Sequence, residues 1–165
     1  MPCKTYKIGV FFDGTGNNAD FDSSNGRNQQ SNVAKLHKLY KTGEFKSKEG
    51  YKVTASKIYI KGIGTYDTQD EYDKHPIKRK YDKGGGGGGA QRINDAINDV
   101  TKFLDAHPFH KSDDTKFSKR EIDVFGFSRG SAIAKDFVNT FTTKKINKKS
   151  NTKTSVSTSS VSTTL

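Results

Sequence analysis

Two periods alternate along the chain: short apolar runs bounded by turn residues, and longer stretches in which apolar residues recur every three or four positions. Residues 7–12 (Lys-Ile-Gly-Val-Phe-Phe) are a compact apolar run, which predicts a buried strand. Asp13-Gly-Thr-Gly-Asn-Asn18 follows, and each of its residues favours a turn. Ser31 or Asn32 is a suitable cap for a helix running to Tyr40, with Val33, Leu36 and Tyr40 on one face. Residues 57–60 predict a second strand. Ile93, Ile97, Val100 and Leu104 mark a helix over 91–106, with Pro108 just beyond its end. Residues 122–126 predict a third strand and 129–141 a third helix, burying Ile133, Phe137, Val138 and Phe141. Strands separated by helices predict parallel βαβ units, hence an α/β domain of about three parallel strands with flanking helices. Polar loops over 19–30 and 66–89 interrupt it, and no internal repeat is visible.

Composition divides this pattern in two. Residues 142–165 include 13 Ser or Thr and five Lys, no acid, and only Ile146, Val156, Val161 and Leu165 as apolar residues. Such a segment buries too little surface to offset its ordering entropy, so composition predicts a folded body over 1–141 and a disordered tail over 142–165. Of the net charge of +11, the tail carries +5 and the body +6. Much of the basic excess is therefore a solvated tail, which weakens the case for an acidic partner. Leu, Ile, Val and Phe are 33 of the 165 residues, so the core is small. No run approaches the roughly 18 apolar residues of a membrane helix, and the run ending at Phe12 is too short for a signal peptide. A location in the cytoplasm, or export without a signal peptide, is the expectation. A single cysteine, Cys3, makes no internal disulfide.

The stretch richest in chemistry is Gly126-Phe-Ser-Arg-Gly130. As a bare G-x-S-x-G it is a weak signal. Its context sharpens it, because an apolar β-rich run precedes it and an amphipathic helix follows, as in a nucleophile elbow. Ser128 then stands at the apex of a strained strand-to-helix turn. Gly126 and Gly130 flank it because side chains there would collide across the turn. The helix N-terminus, with the amide of Arg129, suits an oxyanion. The bland alternative is a tight turn with an inert serine.

With these residues in view, the chain resembles the catalytic domain of the first class of type VI secretion phospholipase effectors, a serine α/β-hydrolase family. Four stretches carry the resemblance, in order: Phe11-Phe-Asp-Gly-Thr-Gly-Asn-Asn18, Ser31-Asn-Val-Ala-Lys-Leu36, Tyr59-Ile-Lys-Gly-Ile-Gly-Thr65 and Phe125-Gly-Phe-Ser-Arg-Gly-Ser-Ala132. A glycine-rich loop before Arg92 fits as well. The resemblance spans about 5–141 and implies a partial α/β-hydrolase with Ser128 as nucleophile, cleaving a lipid ester such as a phospholipid acyl bond without a cofactor. It places Asp13, Gly14 and Thr15 beside the nucleophile as part of the oxyanion site. It also implies a type VI-like delivery partner and a bacterial immunity partner.

Read without the resemblance, Gly14 and Gly16 can turn their amides to an anion, or the loop is a β-turn in which Asp13 bonds its own backbone. The loop also invites comparison with the D-x-D-G-T of haloacid dehalogenase phosphatases, but Phe11 occupies the position of their nucleophilic aspartate.

A serine hydrolase needs a base and a group that orients it, in the chain order Ser, acid, His for this architecture. After Ser128 there is one acid, Asp136, and no histidine; His37, His75, His107 and His110 all precede it. Either the chain is a truncated copy, or a second polypeptide supplies the missing strands, acid and base. In both cases 1–165 alone is expected to hydrolyse lipid esters poorly. Residues 84–89, six glycines, read as a linker or flap rather than a phosphate cradle, since the Lys-Ser/Thr ending of a P-loop is missing. The cluster over 74–83 supports an alternative function, a basic module for nucleic acid or an anionic membrane surface, though such a cluster is more often a solvated loop and no specific nucleic acid is expected. His107 and His110 lack metal-ligand spacing with any Cys or acid, so no metal site is expected.

Overall fold

In a computed structural model, the structure describes residues 4–20, 30–65, 73–74, 88–108, 118–147 and 155–160. They form a five-stranded sheet with three helices: β1 (Lys4–Phe12), α1 (Asn32–Leu39), β2 (Gly43–Lys46), β3 (Lys52–Ile60), α2 (Gly89–Ala106), β4 (Ser118–Gly126), α3 (Arg129–Asn147) and β5 (Ser155–Ser160). The strand order is β2-β3-β1-β4-β5. β1 lies at the centre, parallel to both β3 and β4, with Phe12 opposite Ile60 on one side and Gly126 on the other. β5 is parallel to β4, whereas β2 runs antiparallel to β3. The α/β reading holds, and the three expected strands are the three central ones, each longer than its apolar run.

Strand alternation divides the sheet into two dissimilar faces. Ile8, Val10 and Phe12 of β1, with Ile122 and Val124 of β4, pack against Ala96, Val100 and Leu104 of α2 and Ile133, Phe137 and Phe141 of α3. This is the main core; Val100, Leu104, Ile133, Phe137 and Phe141 are positions the spacing predicts, whereas Ala96 and Ala134 were not among them and Ile93, Ile97 and Val138 pack only partly buried at its edge. Arg120 closes it at the far end of α2 by donating to the carbonyls of Leu104 and His107 (3.1 and 2.6 Å).

The other face carries α1 and is aromatic and charged. Phe11 stacks on Phe125 (4.6 Å between centroids) and meets Tyr40 and His37 edge-on. A Cβ on Gly9 would lie 2.9 Å from the Tyr40 ring, so glycine there admits that ring to the sheet. Tyr40 donates to Asp123 at 3.0 Å, and Lys7 pairs with the same carboxylate at 2.9 Å. Burial depresses the Lys7 ammonium, but the bond to Asp123 and the charges of Asp123 and Glu121 outweigh it and leave the pKa raised. The Tyr40 phenol is pushed well above its ordinary range, first by burial and then by the Asp123 charge.

The end of one helix and a short strand fall in the segment that composition assigned to a disordered tail. α3 continues past Phe141 to Asn147, and β5 extends the sheet beyond β4. A parallel ladder bonds backbone groups, which every residue carries, so a Lys/Ser/Thr-rich composition does not bar a strand there. β2 was also not expected; its Gly-Glu-Phe-Lys has no apolar run, and it pairs as a short edge. All of the basic cluster over 74–83 except Lys74, all but the end of the glycine run over 84–89, and most of the loop over 19–30 lie outside the described residues, as do His75 and His110.

Candidate active site

The site lies where two neighbouring strands send the chain to opposite faces. After β1 the chain passes to α1 on one face, and after β4 it passes to α3 on the other. The crevice outside the carboxyl ends of β1 and β4 is thus a topological switch point, where α/β sheets bind ligands. Both informative loops meet there, because the register puts Phe12 beside Gly126.

β4 ends at Gly126 and α3 begins at Arg129, which leaves Phe127 and Ser128 to make the whole turn. Among the described residues, Ser128 alone of the non-glycine residues has a positive φ, at 54°. That left-handed conformation costs a residue with a Cβ about 1–2 kcal/mol, and it leaves Ser128 exposed at the head of α3. Hydrogen bonds from Gly130 to the Phe127 carbonyl and from Ser131 to the Ser128 carbonyl, both 2.9 Å, close the turn.

The two glycines are required for different reasons. A Cβ on Gly126 would lie 2.6 Å from the Ser131 Cα and 2.9 Å from the Gly130 carbonyl oxygen, a collision across the turn as expected. A Cβ on Gly130 would instead lie 2.5 Å from the carbonyl oxygens of Phe12 and Asp13. Its partner is the neighbouring strand end, a contact invisible in the local sequence.

The loop after β1 differs from the expectation in detail. Asp13 is buried, and its carboxylate accepts from the Gly14 amide (2.7 Å), Asn17 Nδ2 (3.4 Å), Ser31 Oγ (2.6 Å) and the Tyr59 hydroxyl (2.5 Å). Asp13 therefore organises the loop rather than facing an anion. The Gly14 amide is committed to that carboxylate, and the Gly16 amide to the Ile63 carbonyl at 2.9 Å. Neither glycine turns its amide outward: the buried carboxylate takes the Gly14 amide as one of the donors it must gather, and the Gly16 amide instead ties the loop to the segment after β3. Gly14 still packs beside the nucleophile turn: a Cβ there would lie 2.6 Å from the Phe127 ring. Thr15 Oγ1 is buried and has no hydrogen-bond partner among the described residues. Arg129, half-buried, opens α3 at the positive end of its dipole, and the Gly130 and Ser131 amides that follow are taken by the carbonyls of the turn itself.

No base reaches the nucleophile among the described residues, and Ser128 Oγ has no hydrogen-bond partner among them. Asp136 is exposed on α3, eight residues and about 12 Å of helix axis beyond Ser128. His107 sits at the end of α2, its Nδ1 2.7 Å from the Phe103 carbonyl and its ring against Tyr6, towards the amino end of β1. His37 lies on α1 against Phe11 and Tyr59. Its pKa is lowered, first by burial and then by the Lys57 charge, with Asp20 opposing. No three His, Cys, Asp or Glu among the described residues gather as a metal site. No described helix is long and apolar enough to cross a membrane.

Sequence reasoning brought Ser128, Gly126, Gly130 and the Asp13 loop together, and the structure places them at one crevice. It missed Tyr59, Ser31 and Asn17 as partners of Asp13. A buried acid in a turn needs donors, and two of these residues open the matching stretches that follow it, which was the available signal.

Comparison with known proteins adds an independent view. A family model described as "T6SS, Phospholipase effector Tle1-like, catalytic domain" matches residues 7–157. No curated protein matches the chain. A solved structure, described as the Tle1 effector bound to the VgrG spike from the type 6 secretion system, is similar at 24% identity with a TM-score of 0.49. The similarity covers 88% of this chain and 32% of that one.

Proposed function

The chain belongs to the family of Tle1-like catalytic domains of type VI secretion phospholipase effectors, and from that premise we propose that it carries the nucleophile half of a serine lipid-esterase site. The observation that carries this reading is the exposed Ser128 at φ 54° between two glycines that tolerate no Cβ. A strained residue of this kind persists only when its surroundings impose it, and such residues cluster at active sites.

In the proposed reaction the Ser128 hydroxyl attacks the acyl carbonyl of a lipid ester. The proton goes to a base, the acyl group is transferred to Oγ with departure of the alcohol, and water then releases the acid. The oxygen that becomes negative in each tetrahedral intermediate lies at the positive end of α3, beside Arg129; the buried Thr15 hydroxyl, without a hydrogen-bond partner among the described residues, is the further donor the loop after β1 would offer. The base and the acid that orients it come from polypeptide other than the described residues, either a further segment or a second chain. Delivery by a type VI spike and neutralisation by an immunity protein are the partner relationships this reading implies.

The purified 1–165 chain is the test. Turnover of a short-chain ester is expected near background and unchanged in Ser128→Ala. Slow labelling by a fluorophosphonate is expected at Ser128 and nowhere in Ser128→Ala. Efficient turnover abolished by Ser128→Ala would overturn the incomplete-site reading. Absence of any labelling would remove the nucleophile itself.

A further inference from the structure

We propose that Tyr59 and Ser31 are positioning residues for the nucleophile turn, acting through the Asp13 carboxylate; the inference rests on Ser128 as the reacting group. Asp13 is only 2% exposed, and its two oxygens divide their partners. Oδ1 takes the donors of its own loop, Gly14 and Asn17. Oδ2 takes two hydroxyls from distant parts of the chain, Ser31 before α1 and Tyr59 on β3. These bonds are charge-assisted, the strongest class available to neutral donors.

Each hydroxyl also has a second role that aims it. Ser31 Oγ accepts from the Ala34 amide at 3.0 Å as the cap of α1, and the Tyr59 oxygen accepts from the Ala19 amide at 3.0 Å. With a lone pair of each oxygen engaged by an amide, its own hydrogen is directed to the carboxylate. Asp13 is thereby fixed from α1 and β3 at once.

What is fixed reaches the elbow directly. The Asp13 and Phe12 carbonyl oxygens form the wall against which Gly130 packs. The Phe12 carbonyl accepts from the Phe127 amide at 3.1 Å, and Gly14 rests on the Phe127 ring. The Asp13 peptide can move only if the first turn of α3 moves with it. The same contacts explain why four separated stretches belong together: Asp13 from the first, Ser31 from the second, Tyr59 and Gly62 from the third, and Gly130 from the fourth. Gly62 joins the set because a Cβ there would lie 1.7 Å from the Gly14 carbonyl oxygen.

The experiment is residue-level amide hydrogen exchange on the 1–165 chain, comparing wild type with Tyr59→Phe, Ser31→Ala and Ser31→Thr. Asp13 itself is left intact, so each variant keeps the buried charge with its remaining donors. In Tyr59→Phe and in Ser31→Ala the Phe127 and Gly130 amides are expected to exchange at least tenfold faster, with Val10 and Val124 within twofold of wild type. Ser31→Thr, which keeps the hydroxyl, is expected to restore wild-type exchange at the elbow. Acceleration confined to Asn17 and Gly62 would overturn the proposal, because the loop would then open without the elbow. Equal acceleration throughout the sheet would also overturn it, since the residues would be contributing only to global stability. Fluorophosphonate labelling of the same proteins separates the two readings. If wild type is not labelled, the nucleophile assignment falls while exchange still decides the positioning. If it is labelled, Tyr59→Phe is expected to slow labelling about tenfold.

Discussion

Ser128 holds a backbone conformation that a side chain resists, and it does so in an exposed position where no packing gain offsets the strain. A residue under no demand but stability would be glycine there. Ser128→Gly is accordingly expected to raise stability by about 1 kcal/mol, the left-handed penalty of a Cβ, read as a higher urea midpoint at unchanged slope. An unchanged or lower midpoint would show that the turn imposes no strain. The same residue scale separates the two flanking glycines. Gly126 is demanded by its own turn and so is legible in the pentapeptide. Gly130 is demanded by carbonyls about 117 positions earlier in the chain, and only the fold supplies that reason.

At the scale of elements, α1 is the shortest of the described helices, anchored by the buried Val33 and Ala34. It has eight residues, and Leu39 at its end is 81% exposed. It is held by its Ser31 cap and by the aromatic group of Phe11, His37 and Tyr40. Because the folded state lowers the His37 pKa below its ordinary 6.5, the unfolded chain takes up that proton first as pH falls. The contribution of this group is complete above about pH 6.5 and is lost as pH falls from there through the folded pKa. Wild type is therefore expected to lose more thermal stability than His37→Phe between pH 7.5 and 5.5. The other three histidines are common to both proteins and cancel in the difference. Equal losses would show that burial on α1 does not disfavour the charged imidazole. The element scale was partly legible: helical spacing located all three helices, and apolar runs located the central strands. β2 and β5 escaped because edge strands need neither an apolar run nor two buried faces.

For the whole molecule, one sheet face does most of the stabilising. Phe137 is fully buried between Phe12 and Phe141 (5.5 and 5.6 Å between centroids) and joins α3 to the sheet. Phe137→Ala is expected to cost about 3–5 kcal/mol. That is a large share of the roughly 5–15 kcal/mol that holds a domain together. Circular dichroism under urea would show a midpoint shifted far towards water, or no folded baseline. A loss below about 1 kcal/mol would mean that α3 does not depend on this contact. The opposite face places Lys7, Asp123, Glu121 and Tyr40 along the sheet, where paired charges contribute less than packed rings would.

The sequence by itself determined the local features: which stretches are strand or helix, that the chain must turn sharply around Ser128, and that Asp13 opens a turn. Those follow from backbone propensity and periodicity, which act over a few residues. Only the tertiary structure decided that β1 lies between β3 and β4, and that the Asp13 loop touches Gly130. It also decided that the Asp13 carboxylate gathers hydroxyls from two other stretches, and that both loop glycines point their amides inward. Strand order and the demand of a buried charge for donors are long-range matters, and no window of sequence contains both partners.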